Sequence, residues 1–84
     1  MSKTIHKFTL NLMGTTSFLL PAGYNILTIR EQDGGPVLWI EFETGSPITD
    51  ELNIYAYPTG VDYVEGEYLG SVQIDWYVAH FYKV

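Results

Sequence analysis

The segment "NILTIREQDGGPVLWIEFE", residues 25–43, decides the fold class of this sequence. Two runs rich in β-branched and aromatic residues flank the "DGG" at residues 33–35, which supplies the positive φ angles that a tight turn needs. In the second run, Leu38, Ile40 and Phe42 alternate with residues that face the other way, as in a strand with one buried face. The segment therefore predicts an antiparallel β-hairpin.

Short runs of the same kind continue in both directions, separated by glycine and proline at regular intervals. The predicted strands are residues 3–12, 17–20, 25–32, 36–43, 52–57, 68–75 and 77–84. A chain of 84 residues has room for one domain, so we predict a single β domain over residues 1–84. The expected fold is all-β, a small antiparallel sandwich or barrel of roughly six to seven strands. The predicted core residues are Phe8, Leu10, Leu12, Leu27, Ile29, Leu38, Ile40, Phe42, Leu52, Ile54, Val72 and Ile74.

The segment "SPITDELNIYAY", residues 46–57, fits two structures. Ser46 is a suitable helix cap with proline after it, and Ile48, Leu52 and Tyr55 follow at helical spacing. Every second residue from Leu52 is also apolar, as in a strand. A short turn of helix that leads into a strand satisfies both patterns.

Charge narrows the choice of partners. Ten acidic and four basic residues give a formal net charge of −6, which repels nucleic acid and anionic lipid, so we expect neither nucleic acid nor a membrane as partner. A local basic spot for one small anion remains open among Lys3, Lys7, Arg30 and Lys83. Residues 8–29 are uncharged but interrupted by Asn, Gly and Pro, which is atypical of a transmembrane helix or a signal peptide. The expected location is the cytoplasm.

The sequence contains no cysteine for a disulfide or a structural zinc site. A domain of this length buries only about 60% of its unfolded surface, so oligomerisation is the stabilising device that remains. The segment "YVAHFYKV", residues 77–84, carries apolar or aromatic side chains on both of its faces. We predict a homo-oligomer with Phe81 in the core and Val78, His80 and Tyr82 at the interface. A central strand of a closed barrel explains the same pattern without a partner.

Arrangements for catalysis are sparse. The histidines are His6 and His80, and no serine lies in a nucleophile elbow or beside a glycine-rich turn that would form an oxyanion hole. The acidic segment "DYVEGEY", residues 62–68, lacks the ligand spacing of a calcium loop. We therefore expect a protein that is not an enzyme, with no catalytic residue, metal site or cofactor.

The surplus of aromatic residues, 15% of the chain, is more typical of a binding surface. A nucleotide-like ligand needs aromatic faces for its base and cations for its phosphate. Arg30 is the best phosphate candidate, and Trp39 shares its strand face with glutamates, where a large aromatic side chain needs a cover. Tyr57, Tyr63 and Tyr68 surround one loop. Each has a structural alternative: Arg30 can pair with a glutamate across the hairpin, Trp39 can pack on a cross-strand neighbour such as Thr28 or Arg30, and the tyrosines can cover the ends of the core.

Four segments in this order resemble a family of small proteins common in tailed-phage genomes. They are "LPAGYNILTI", "PVLWIEF", "YLGSVQ" and "YVAHFY". The positions that match the family pattern are Leu20, Pro21, Gly23, Leu38, Trp39, Thr59, Gly60, Tyr68, Leu69, Gly70 and His80. The chain departs from the pattern at Val61, where the family turn has histidine, at Tyr24, which replaces a small residue, and at Ala79, which replaces a bulky aromatic residue. An activity that needs the turn histidine is therefore in doubt here.

The resemblance implies a phage-encoded β protein, and small phage proteins of this size often counter host defence. We predict an anti-defence protein that sequesters a nucleotide-derived host immune signal in the host cytoplasm without catalysis. One alternative is an acidic inhibitor that occupies the basic site of a host protein. The residues that would serve this alternative are Asp50, Glu51, Asp62, Glu65 and Glu67. The other alternative is a virion or assembly accessory protein.

Overall fold

The computed structural model describes residues 2–84, and this part of the chain forms seven β-strands. The strands are β1 Lys3–Thr9, β2 Gly14–Pro21, β3 Asn25–Gln32, β4 Gly35–Glu43, β5 Ile48–Pro58, β6 Glu67–Ile74 and β7 Tyr77–Lys83. They build a three-stranded sheet in the order β1-β4-β3 and a four-stranded sheet in the order β2-β5-β7-β6, both antiparallel. The predicted all-β fold is confirmed, and it is a sandwich. Residues 2–84 contain no helix that could cross a membrane.

The hairpin that decided the fold class is confirmed. Asp33 has a φ of 53° and Gly34 a φ of 85°, so both central residues of the turn are left-handed, as a two-residue hairpin requires. Gln32 pairs with Gly35 and closes the turn. The backbone N–H of Gly34 donates to the carboxylate of Glu31 over 2.7 Å, which fixes the turn further.

The predicted helical turn at Ser46 is wrong. β5 begins at Ile48 as a strand, because β2 pairs with it from its first residues: Pro21 lies opposite Ile48 and Leu20 opposite Asp50. The backbone N–H and C=O groups of this segment are paired with those of β2, so they need no hydrogen bonds within a helical turn. β2 starts at Gly14, three residues before the predicted start, because its first residues pair with Ile54, Tyr55 and Ala56 of β5.

The core lies between the two sheets. Its buried residues are Leu10, Leu20, Leu38, Ile40, Leu52, Ile54, Ala56, Val72, Ala79 and Phe81. The other predicted core residues, except one, are partly buried against this cluster: Phe8, Leu12, Ile29, Phe42 and Ile74.

Leu27 is the exception, and its predicted place in the core is wrong. The register of β3 against β4 shifts between Ile26 and Thr28, so Leu27 has no opposite residue. A β-bulge of this kind inserts one residue and breaks the alternation of faces. Ile26 and Ile29 therefore both face the core, opposite Ile40 and Leu38, while Leu27 is 46% exposed.

Strand β7 explains the two-faced segment at residues 77–84. It lies between β5 and β6, with Ala79 and Phe81 fully buried, as predicted for Phe81. Val78, His80 and Tyr82 are half-buried and lie on the outer face of the four-stranded sheet. The sheet is open rather than part of a closed barrel, so β7 is central without barrel closure.

Candidate functional site

The outer faces of the two sheets carry the candidate sites. The tryptophan face is the outer surface of β1-β4-β3. Its groove end consists of Ile5, Lys7, Leu27, Thr28, Arg30, Glu31, Gln32 and Trp39, and its other end carries Lys3, Glu41 and Glu43. The tyrosine face is the outer surface of β2-β5-β7-β6 and is centred on Tyr55, Tyr57, Tyr68, Ser71, His80 and Tyr82. The core separates the two faces, so a single small ligand cannot touch both.

A shallow groove of about 440 Å³ runs along the tryptophan face. Trp39 lies on the middle strand β4, between Lys7 of β1 and Thr28 of β3 in the cross-strand register. Two exposed apolar side chains line the groove on the flanking strands, Ile5 at 54% and Leu27 at 46% exposure. The half-buried indole therefore sits between apolar walls.

The bulge in β3 makes this groove. Without it, regular alternation would place Thr28 and Ile26 on the same side of the sheet. With the extra residue, Leu27 and Thr28 both contribute to the outer face. Thr28 is the cross-strand neighbour of Trp39, so the expectation of a threonine partner for the indole is confirmed. That partner leaves the indole half-exposed.

Two cations flank the indole. Lys7 lies directly opposite Trp39, and its ammonium donates to the side-chain oxygen of Gln32 over 3.2 Å. Arg30 is exposed and lines the groove. The predicted alternative, a salt bridge from Arg30 to a glutamate across the hairpin, is absent from residues 2–84, where Lys3 instead approaches Glu41 at 3.7 Å. The guanidinium of Arg30 is thus available to an anion.

The tyrosine face is an interlocked aromatic cluster. Tyr82 lies between Tyr55 on β5 and Tyr68 on β6 in the sheet register. The ring centroids of Tyr57 and Tyr82 are 5.5 Å apart and those of Tyr68 and Tyr82 are 5.4 Å apart, both edge to face. Tyr55 and Tyr57 are 4.6 Å apart. These are favourable separations for aromatic pairs, so the rings hold one another in place.

A chain of hydrogen bonds crosses the same face. His80 Nε2 is 2.8 Å from Thr59 Oγ1, and His80 Nδ1 is 2.7 Å from Ser71 Oγ. Ser71 Oγ is in turn 2.6 Å from the hydroxyl of Tyr68. Both ring nitrogens of His80 are therefore partnered by neutral hydroxyl groups.

Ser71 and His80 are in contact, as the nucleophile and base of a hydrolase would be. The catalytic arrangement also needs a group that orients the histidine, usually a carboxylate on the second ring nitrogen, and donors for an oxyanion. Here the hydroxyl of Thr59 takes the carboxylate's position, and Ser71 lies within a strand on an open sheet face. The contact favours a structural role for the pair.

The loop at residues 59–66 borders the tyrosine face. The hydroxyl of Tyr57 accepts a hydrogen bond from the backbone N–H of Glu65 over 3.3 Å, and the hydroxyl of Tyr63 donates to the Glu65 carboxylate over 3.2 Å. The negative charge of Glu65, and then this hydrogen bond, raise the pKa of the Tyr63 phenol above its ordinary value. Tyr63 is 70% exposed, so it lies at the rim.

The structure divides the predicted ligand-binding residues into two groups. Arg30 and Trp39 line one groove on the tryptophan face. Tyr57 and Tyr68 are on the tyrosine face, and Tyr63 is on its border. The five side chains do not form one site. The predicted interface residues, by contrast, come together, since all three lie on the tyrosine face: Val78, His80 and Tyr82.

Sequence reasoning named Lys7 only as one of four cations, placed Leu27 in the core, and missed the roles of Ser71 and Thr59 beside His80. Alternation within residues 3–9 would have placed Lys7 on the same face as Ile5. The register of a tight hairpin between the last two strands would have placed Ser71 near His80. Leu27 had no such signal, because nothing in the sequence marks the bulge.

The acidic residues do not form one surface. Asp50 and Glu51 lie near the start of β5, whereas Asp62, Glu65 and Glu67 follow its far end. Glu51 alternates outward with Asn53, whereas Glu67 lies opposite Lys83, towards the inner side of the four-stranded sheet. Residues 2–84 also contain no group of three or more His, Asp or Glu side chains that could hold a metal ion.

Comparison with known proteins gives one match. No curated protein matches the chain significantly, and no solved structure does. One family model matches residues 1–84, and both sheets and both outer faces lie inside the matched region. The chain therefore belongs to the family described as Domain of unknown function (DUF7352).

Proposed function

We propose that this protein binds a nucleotide-like small molecule on the tryptophan face and sequesters it without catalysis. One observation carries the proposal. In a chain with a net charge of −6, an indole has a lysine opposite it in the sheet, Lys7, and an arginine that lines the same groove, Arg30. Aromatic surface beside cations is what a base linked to a phosphate needs.

The groove supplies the base-binding part. Stacking of a nucleobase on an aromatic side chain contributes about 1–3 kcal/mol, and Trp39 offers the largest aromatic surface of any residue type. Ile5 and Leu27 extend the apolar surface on either side. The groove volume, about 440 Å³, falls in the range of small-ligand sites, roughly 300–1,000 Å³.

The cations supply the phosphate-binding part. Arg30 can hold a phosphate with two parallel N–H···O bonds, and Lys7 adds a point charge. Lys7 and Arg30 bring two positive charges and Glu31, which lines the same groove, brings one negative charge, so a triphosphate would meet uncompensated repulsion from an acidic protein. The groove therefore suits nucleotides of low charge, such as cyclic dinucleotides and cyclic ADP-ribose derivatives.

The resemblance to tailed-phage proteins supplies the biological context. A phage protein that holds a nucleotide-derived immune signal removes that signal from its host receptor by binding alone. The ligand lies on an open face and no catalytic group is required near it. We therefore propose an anti-defence role in the host cytoplasm.

Ligand screening by thermal unfolding tests the proposal. Cyclic dinucleotides, cyclic ADP-ribose derivatives and adenosine monophosphate are added in excess, and a ligand at a hundred times its Kd stabilises the fold by about 2.7 kcal/mol. The bound ligand is then recovered and analysed by chromatography, and we expect it unchanged. Conversion of the ligand would overturn sequestration.

Fluorescence quenching locates the site. The chain has two tryptophans, and Trp76 lies in the β6–β7 turn with 88% exposure, away from the groove. We expect quenching in the Trp76→Phe variant and none in the Trp39→Phe variant. Arg30→Gln should weaken affinity at least tenfold. If no compound of these classes binds, or if neither Trp39→Ala nor Arg30→Gln weakens binding, the proposal is wrong.

A further inference from the structure

The two open sheets end in four edge strands: β1 and β3 in one sheet, β2 and β6 in the other. An edge strand presents backbone N–H and C=O groups that can pair with another chain, and lysines or bulges on the edge limit such pairing. β1 carries Lys3 and Lys7, and β3 and β6 contain bulges at Leu27 and Leu69. β2 differs, because residues 14–20 carry no charge and pair with β5 without a shift.

The backbone groups of alternate β2 residues point to the open edge. The C=O of Asn53 on β5 accepts a hydrogen bond from the N–H of Val84 over 2.9 Å, on the side where β7 lies. In an antiparallel pair, two opposite residues turn their backbone groups either towards each other or both away. Ser17 lies opposite Asn53, so its N–H and C=O point away from β5. Those of Leu19, two residues further on, do the same.

A side-chain contact confirms this direction. The amide of Asn11, outside the strands, donates to the C=O of Thr15 over 3.0 Å. Thr15 precedes Ser17 by two residues and has the same backbone direction. The contact covers the first outward carbonyl of β2, so the open stretch runs from Ser17 to Leu19. Both residues are exposed, and Leu19 has 70% exposure.

We propose that β2 binds an extended basic segment of another protein as an added strand. Outward N–H and C=O groups at alternate residues match the spacing of another extended backbone. Main-chain hydrogen bonds supply the affinity in this mode of recognition, and alternate side chains supply the specificity. The bound segment becomes the fifth strand of the sheet that contains β2.

The side chains beside the open edge specify the segment. On the inner side, the half-buried ring of Phe18 lies 4.6 Å from that of Phe8, so a residue opposite Phe18 meets apolar surface. On the outer side, Leu19 lies opposite Glu51 of β5. The added strand lies about 10 Å from β5, a gap that a lysine and Glu51 can span together. Apolar and basic residues should therefore alternate in the segment.

Charge favours a basic segment over a second copy of this chain. The net charge of −6 attracts a basic peptide at long range and repels an identical chain. The β2 strand of a second copy is uncharged, so it would bring no cation to Glu51. The partner is therefore a different protein.

Hydrogen exchange measured by NMR tests the proposal. The probe is a heptapeptide of alternating valine and lysine, capped at both ends. The amides of Ser17 and Leu19 should exchange about tenfold more slowly when the peptide is bound, whereas the Phe18 amide, which points to β5, should be protected with and without it. No binding at millimolar peptide, or binding without protection of Ser17 and Leu19, overturns the proposal. Protection of both amides without peptide, in a dimer seen by sedimentation, would show that a second copy occupies the edge instead.

Matched variants separate the backbone from the side chains. Leu19→Pro removes the outward N–H, which an edge strand can lose without losing its own pairing, and Leu19→Thr keeps it. We expect Leu19→Pro to weaken peptide binding several-fold more than Leu19→Thr. Glu51→Gln should weaken binding more than Glu67→Gln, which removes the same charge on β6, at the opposite edge of the sheet. Equal effects within either pair would contradict the proposal.

Two modified peptides keep the test valid if Leu19→Pro fails to fold. One is N-methylated at its valines and the other at its lysines. Alternate nitrogens of an added strand point to β2 and to solvent, so one peptide should bind much more weakly than the other, and the weaker one reveals the strand direction. Equal binding of the two peptides would overturn the proposal.

Discussion

The two outer faces of this sandwich arise from the same alternation of side chains, yet they differ in how their polar and aromatic groups are partnered. On the tyrosine face, four rings pack on one another and His80 is hydrogen-bonded at both nitrogens. On the tryptophan face, within residues 2–84, Trp39 forms no aromatic pair and Arg30 forms no salt bridge. The first face is complete in itself, and the second lacks partners for its strongest groups.

Sheet size explains part of this difference. In the four-stranded sheet, the central strands β5 and β7 place tyrosines side by side, with β6 adding another. The three-stranded sheet has one central strand, and a bulge beside it opens a groove. The rings and the His80 hydrogen-bond chain of the tyrosine face partner one another, whereas a surface with an indole and a guanidinium outside such pairs suits a ligand that brings the missing groups.

The largest expected effect contrasts the two sides of β7. Phe81→Ala should cost about 3–5 kcal/mol, because it leaves a cavity in the buried core. Tyr82→Ala removes two edge-to-face contacts, each worth about 0.5–1.5 kcal/mol. Urea unfolding at a concentration where the protein is monomeric measures both. Equal losses for the two variants would contradict the assignment of inner and outer faces.

The next effect concerns the loop that borders the tyrosine face. Gly60 and Gly66 both have positive φ, 92° and 98°, so alanine strains the backbone by about 1–2 kcal/mol at either position. A Cβ at Gly66 would also overlap the carbonyl oxygen of Lys83, while a Cβ at Gly60 meets open space. Gly66→Ala should therefore lower the free energy of unfolding by about 1–3 kcal/mol more than Gly60→Ala does. Thermal unfolding of the two variants gives the difference, and the same loss at both positions would mean that the loop end moves freely away from β7.

A smaller effect compares hydrogen bonds on the two faces. Ser71→Ala removes the hydroxyl that joins His80 to Tyr68, and we expect a loss of about 1 kcal/mol. Gln32→Ala removes one hydrogen bond to an exposed lysine on the tryptophan face, and surface changes of this kind usually stay within about 0.5 kcal/mol. Chemical unfolding of both variants in parallel provides the test. A larger loss for Gln32→Ala would reverse the comparison between the faces.

Much of the fold could be predicted from the sequence because turn chemistry and alternation are local signals. The "DGG" turn, the inward position of Phe81 and the grouping of Val78, His80 and Tyr82 follow from period-two patterns alone. These features needed no knowledge of which strands pair.

The candidate site was less predictable, since it depends on how the strands are arranged in sheets. Trp39 and Arg30 were expected to bind together with Tyr57 and Tyr68, but strand order places the two pairs on opposite sides of the core. The bulge at Leu27 is a second example. It follows from the pairing of β3 with β4, which composition and spacing do not specify.

The smallest effect is a titration at the border of the tyrosine face. The pKa of the Tyr63 phenol is raised because a phenolate would lie beside the charge of Glu65 and lose its hydrogen bond to that carboxylate. Glu65→Gln should therefore lower the pKa of Tyr63 towards its ordinary value. Glu67→Gln removes the same charge from a residue outside this hydrogen bond, and it should change the titration less. An NMR titration of the Tyr63 ring measures both.

The direction of the linked stability change follows from the same pKa. In the unfolded chain Glu65 is no longer held against Tyr63, so the phenol loses its proton at a lower pH than in the folded protein. The contribution to stability is fully present below the ordinary phenol pKa and is lost as the pH rises through the raised one. Because Tyr63 is exposed, the loss should be small and confined to alkaline pH, and it should disappear in Glu65→Gln. A Tyr63 titration that is the same with and without the Glu65 carboxylate would mean that residues 59–66 do not hold the border of the tyrosine face as they do here.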